Sequence, residues 1–156
     1  MPFVYHTPAF SASTSGTPNT ELDTFTWKPG TRDLLMHSVT CGGSANAATA
    51  INGLAVRIKK YTSTASSATT PFTLVPLDPG AQAAKSTCGF VIATPGTGGP
   101  LYLGGFVCSA GGPGGWKART DDQAIGLEGS ANQSLDLWTA APTASLQAAY
   151  DIDVME

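Results

Sequence analysis

From Leu146 to Val154 the chain alternates. Leu146, Ala148, Tyr150, Ile152 and Val154 fall on one side, and Gln147, Ala149, Asp151 and Asp153 on the other. A period of two sets one face of an extended strand against a core and leaves the other to water. A shorter version places Leu54, Val56 and Ile58 between Ala55, Arg57 and Lys59. It slips at Lys59-Lys60-Tyr61, which predicts a bulge or the strand's end there. "TFTWKPG" stops at a Pro29-Gly30 turn, and "DLLMHSVTCGG" reads as a strand closed by Gly42-Gly43. "PFTLVPLDPG" is a strand bounded by prolines; Pro76 has no N–H to give a ladder, so it predicts a sheet edge or a bend. Two apolar runs in "STCGFVIATPGTGGPLYLGGFVCSAGGPGG" predict a hairpin or a cross-sheet connection. "QAIGLEG" and "SLDLWTA" each hold two aliphatic residues in step, with a turn at Glu128-Gly129-Ser130 between them.

About eight strands at intervals of ~8–15 residues, with no convincing helix, predict an all-β fold. The expected form is an antiparallel β-sandwich, jelly-roll-like, as a single domain over residues 21–156. The Ala-rich stretches 44–51 and 80–84 could each hold a helical turn. Residues 1–20, "MPFVYHTPAFSASTSGTPNT", read as an extended N-terminal arm with Pro2, Pro8 and Pro18 and no periodicity. Its apolar residues leave two alternatives. Either it forms a strand that closes the domain's own sheet, or it docks on a neighbouring subunit with Phe3, Tyr5 and Phe10 as anchors.

Composition sharpens this picture. Charged residues make up 12% of the chain, about half the usual fraction, while Gly (18) and Pro (11) are enriched. A surface so poor in charge suits either a β-domain hydrated by Ser and Thr or an exterior covered by partners. A net charge of −3 argues against nucleic acid as a partner. The one basic cluster, Arg57, Lys59 and Lys60, reads as the wet face of a strand. No apolar run approaches the ~18–20 residues of a membrane span, so no membrane partner is expected. The first residues lack the basic and apolar regions of a signal peptide, which points to synthesis in a cytoplasm.

Candidate chemistry is sparse. Cys41, Cys88 and Cys108 have no metal-ligand spacing and read as buried free thiols. His6 and His37 are the only histidines, and a Ser–His–Asp triad would need His37 from inside an apolar strand. No nucleophile elbow, zinc-protease or phosphate-loop motif is present. Asp151 and Asp153, roughly 7 Å apart along one strand face, and Asp121-Asp122 with Glu128 could sterically hold calcium or serve a sugar hydrolase. Without an aromatic platform beside either pair, the ordinary reading is solvated surface. The expectation is therefore no enzyme, no cofactor and no metal. Trp116, after "GGPGG", is the loop aromatic available for an interface.

Two stretches carry a family resemblance. "GLAVRIKKYTSTASSATTPFTLVPLDPGAQAAKST" has a strand with Arg, a Thr/Ser turn, a strand finishing in P-x-L-D-P-G and an Ala-rich segment. "GGWKARTDDQAIGLEGSANQSLDLWTAAPTASLQAAYDIDVME" has a Trp segment, a strand, a Gly turn, an apolar strand and a terminal strand ending in Glu. Together, from Gly53 to Glu156, they resemble small structural proteins of tailed-bacteriophage virions. The resemblance implies a capsid decoration or cement protein on the outer surface of the virion. Its partner would be the major capsid protein, and its favoured assembly a homotrimer. A tail or fibre component, or a receptor- or glycan-binding β-sandwich module, is the alternative. The arm has no counterpart in the pattern.

Overall fold

The computed structural model describes residues 4–10, 21–45, 54–72, 74–108, 114–120, 123–140 and 146–156. These form twelve strands and, among the described residues, no α-helix. In chain order they are β1 (Val4–Phe10), β2 (Glu21–Lys28), β3 (Leu34–Ala45), β4 (Leu54–Tyr61), β5 (Ser67–Phe72) and β6 (Val75–Pro76). The second half holds β7 (Thr87–Thr94), β8 (Leu101–Cys108), β9 (Gly114–Lys117), β10 (Ile125–Leu127), β11 (Ser134–Ala140) and β12 (Leu146–Met155). Every ladder among the described residues is antiparallel. One sheet runs β10-β3-β12-β1-β6, with β9 also on β3; the other runs β5-β7-β2-β11-β4-β8. The fold is the expected all-β sandwich.

The core lies between the inward rows of the two sheets. Tyr5, Leu34, Met36, Val39, Cys41, Tyr150, Ile152 and Val154 face Phe25, Trp27, Val56, Ile58, Cys88, Leu135 and Leu137. Phe25 is the aromatic hub, with ring centroids of Tyr150, Trp27, Phe72 and Phe90 at 5.0, 6.0, 6.3 and 6.5 Å. In β3 the buried parity changes from Leu34 and Met36 to Val39 and Cys41. The β12 ladder explains it, pairing Asp153 with Ser38 and Val154 with Met36, so that His37 is the extra residue of a bulge.

Residues 4–10 take the first alternative set by the sequence. β1 pairs with β12 along its whole length and with β6 on its other side. Tyr5 is fully buried in this chain's own core, and its hydroxyl donates to the Gln82 carbonyl at 2.8 Å. It is therefore not an anchor for a neighbour: a side chain already enclosed has no surface to offer. Phe3 lies outside the described residues, as do residues 11–20; Phe10 pairs through its backbone with Ala149, and its side chain is likewise outside them.

Other sequence expectations divide in the same way. β6, with Pro76, is an edge strand, as the missing N–H requires. The stretch 80–84 is irregular rather than helical, whereas residues 44 and 45 belong to β3 and 46–51 lie outside the described residues. The runs that become β7 and β8 share a sheet but do not pair, because β2, β11 and β4 lie between them. The Thr/Ser/Ala tract is not a plain linker either. Its second half is edge strand β5, and Ser66 just before it is wholly buried. Ser66 N–H donates to Ser134 Oγ at 3.0 Å, Ser66 Oγ donates to Asp136 Oδ2, and Gly96 N–H donates to Ser66 Oγ at 2.7 Å. Ser134 and Asp136 alternate with inward-facing Leu135 and Leu137, so Ser66 caps these two residues on the outer face of the second sheet.

Candidate interaction surface

β8 carries the sequence LYLGGFVC, without a charge, at the end of its sheet. It pairs on one side with β4; among the described residues its other side has no ladder. Leu101, Tyr102, Leu103 and Val107 are 49%, 53%, 41% and 64% exposed. Edges of this kind are usually blunted by charge, proline or a cover, because free N–H and C=O groups template further pairing. A smaller apolar edge lies at β6, where Val75 and Leu77 are exposed.

The surface beside β8 is built by register. β4 sends Val56 and Ile58 inward, with Arg57 and Lys59 outward. On its two sides Arg57 pairs with Trp138 of β11 and Gly105 of β8, and Lys59 pairs with Asp136 and Tyr102. The ladder jumps from Ile58–Gly104 to Lys59–Tyr102, so Leu103 is the extra residue of a bulge and is turned outward. The slip expected near Lys59 is therefore real, but the additional residue is on the partner strand.

Both cations lie between the two rings. The Arg57 guanidinium carbon is 5.0 Å from the Trp138 ring centre and 5.6 Å from that of Tyr102; Lys59 Nζ is 4.9 and 5.9 Å from the same two. Such contacts are worth about 0.5–1 kcal/mol when exposed and ~2 when desolvated. Lys59 is the desolvated one, 3% exposed, whereas Arg57 reaches water. A side chain at Gly105 would come within 2.9 Å of the Val56 carbonyl and 3.5 Å of Arg57 Cγ. The glycine thus leaves Arg57 free to lie across the strand. Arg57, Tyr102, Leu103, Gly104 and Gly105 line an open hollow of about 430 Å³.

The basic cluster is accordingly not one wet face. Arg57 is exposed, Lys59 is covered, and Lys60 turns the other way to donate from Nζ to the Gly126 carbonyl of the opposite sheet at 2.9 Å. Trp116 is not at a loop tip but in β9, half-buried against the core. A Cβ on Gly104 would sit 3.6 Å from its ring, so Trp116 packs beneath the β8 strand that bears the exposed residues. It supports this surface instead of forming it. The sequence reading missed Tyr102, Leu103 and Val107; the signal available was the charge-free run LYLGGFVC beside glycine-rich turns.

The residues weighed for chemistry do not converge. Asp153 Oδ2 accepts from Ser38 Oγ at 2.8 Å, Asp151 is exposed beside it, and Glu128 is exposed in a turn. Asp121 and Asp122 lie outside the described residues. No group of three or more His, Cys, Asp or Glu is gathered among the described residues. Cys41 and Cys88 are buried and not joined in a disulfide, and burial, reinforced by Glu156, pushes the Cys88 thiol well above its ordinary pKa. The Cys108 side chain lies outside the described residues.

No protein-family model matches the chain, and no curated protein matches it. Among solved structures, a chain from the structure of infectious bursal disease virus Gx strain is similar at 12% identity and a TM-score of 0.22. That alignment covers 99% of this chain and 42% of the viral one, so this chain spans less than half of the viral chain's length. A likeness that slight carries no argument about fold or role.

Proposed function

We propose that the protein is a non-enzymatic virion structural protein that decorates and cements the head of a tailed phage. In this reading it assembles onto the particle in the host cytoplasm as a homotrimer and bridges neighbouring major capsid protein subunits from the outside. The resemblance of Gly53–Glu156 supplies the class. The observation that carries the reading is the charge-free edge of β8, with four large apolar side chains exposed on a sandwich whose own core is closed. Burying such a side chain is worth about 1.5–3 kcal/mol, and many copies on a lattice convert modest contacts into lasting attachment. Leu103→Glu and Val107→Glu lie on the exposed strand, so the sandwich keeps its stability while occupancy on purified heads, read by gel densitometry, falls at least about tenfold. Full occupancy by both variants would overturn the proposal.

A glycan-binding module is the second reading. The exposed Tyr102 ring beside Arg57 favours it, since an aromatic face next to a hydrogen-bond donor suits a sugar. Glycan-array binding lost on Tyr102→Ala, with heads ignored, would select it.

A further inference from the structure

We propose that the Arg57 hollow of one copy receives the 75–78 tip of the next, so that the chain associates with itself head to tail and closes as a ring of three. Closure at three rests on the decoration reading; the contact between hollow and tip does not.

The two patches stand at opposite corners of the sandwich. β8 lies beside β9, with Gly104 against the Trp116 ring. From β9 the first sheet runs through β3, β12 and β1 to β6, four strand spacings or about 19 Å away. Pro76 pairs with buried Tyr5 and faces the same way, which sends Val75 and Leu77 to the outer side, where both are exposed. The hollow opens on the outer side of the second sheet, where Arg57 and Tyr102 project. Two patches on opposite corners of a rigid body cannot both engage one neighbour. Joining them makes a heterologous contact, which closes into a ring or runs on as a filament.

The tip is preorganised. Leu77 N–H donates to the Val4 carbonyl at 3.0 Å, Ala81 N–H to the Asp78 carbonyl at 3.0 Å and Gly80 N–H to Asp78 Oδ1 at 2.8 Å. Pro76 and Pro79 fix their own φ. Two exposed aliphatic side chains and an exposed carboxylate are thus held together, and little ordering remains to oppose a contact.

The hollow is its complement. Tyr102 and Leu103 present exposed apolar surface, and Arg57 supplies the cation. Among the described residues Arg57 touches the Tyr102 and Trp138 rings and pairs with no carboxylate. Lys59 is in register with buried Asp136, so the charge left unbalanced at the hollow is that of Arg57. Gly105, in register with Arg57 and without a side chain, keeps the approach to the guanidinium clear. A guanidinium braced by rings is suited to a carboxylate, and Asp78 brings one beside Leu77. Side-chain faces make the contact, so no strand is added to β8. Leu101 and Val107 do not line the hollow and remain exposed for the capsid.

The test weighs the intact chain by light scattering during size-exclusion chromatography, at rising concentration, beside Arg57→Glu, Asp78→Arg and the double exchange. All the exchanged side chains are exposed, so the thermal transition should persist in each variant. The parent is expected at three times the 15.9 kDa of one copy. Each single exchange sets like charges together and should weaken association about tenfold, and the double exchange should restore it. A parent that stays monomeric up to about 1 mM, association indifferent to both single exchanges, or a double exchange that stays dissociated would overturn the contact. A charge-dependent dimer or open filament would overturn the closed ring. A monomer that still decorates heads would overturn the contact and leave the decoration reading in place. Charge-dependent association without binding to heads would uphold the contact and remove that reading.

Discussion

Ser66 lies in the chemically blandest stretch of the chain, yet its amide and its hydroxyl are both committed. Its amide, its hydroxyl and the Gly96 amide tie the tract to Ser134 and Asp136 on the outer face of the second sheet. Replacing a fully buried hydroxyl that both gives and receives a hydrogen bond should cost about 1–3 kcal/mol. Ser66→Ala is thus expected to lower the urea midpoint clearly, while exposed Ser67→Ala stays within about 0.5 kcal/mol of the parent. Equal midpoints for the two variants would refute the role given to Ser66.

Tyr5 and Cys88 determine how stability responds to alkali. Burial first, and the Glu156 carboxylate second, push the Tyr5 phenol above its ordinary 10.0, with Arg32 opposing; the Cys88 thiol is raised above 9.0 by the same two causes. Both groups are held protonated in the folded state. Their contribution is therefore complete below the unfolded values and is lost as pH rises past them. Stability should fall above about pH 9–10, and Tyr5→Phe, which cannot ionise, should show a shallower alkaline fall from a lower starting point. Parallel alkaline limbs for the two proteins would be the contrary result.

At the scale of elements, β1 is no appendage. It is hydrogen-bonded on both sides, and its Tyr5 fills the core. Deleting residues 1–10 should unmake the sandwich: the variant is expected to lose its cooperative thermal transition and to aggregate along the uncovered β12 edge. A soluble variant that still melts cooperatively would show that β1 is dispensable. What the sequence revealed about such elements depended on where they sit. β12 was legible because it has one dry and one wet face; Val56 and Ile58 were legible in β4 for the same reason. β5 was not, because an edge strand with mostly exposed side chains needs no apolar alternation. The bulge at His37 resets the pattern of β3 midway, so no single period spans it.

For the molecule as a whole, no two consecutive strands among the described ladders pair with each other. Every partner comes from elsewhere in the chain, as when β12 inserts between β1 and β3. Local pattern cannot encode that order, which is why the sandwich class was readable and its topology was not. The candidate surface shares this limit. Arg57, the β8 pair Tyr102 and Gly105, and Trp138 come from three distant stretches of sequence and meet only through the registers of β4, β8 and β11. Trp116 looked like a loop-tip contact because its glycine-rich approach resembles one, but folding places it beneath β8. The proposed role depends on how that edge is used in an assembly. The most direct measurement is a cryo-electron-microscopy reconstruction of the virions whose genome encodes this chain. The account predicts density for the sandwich across the head lattice at three-fold positions, with β8 against a neighbouring capsid subunit. Density confined to the tail or fibres, or head-bound copies with β8 facing solvent, would contradict it.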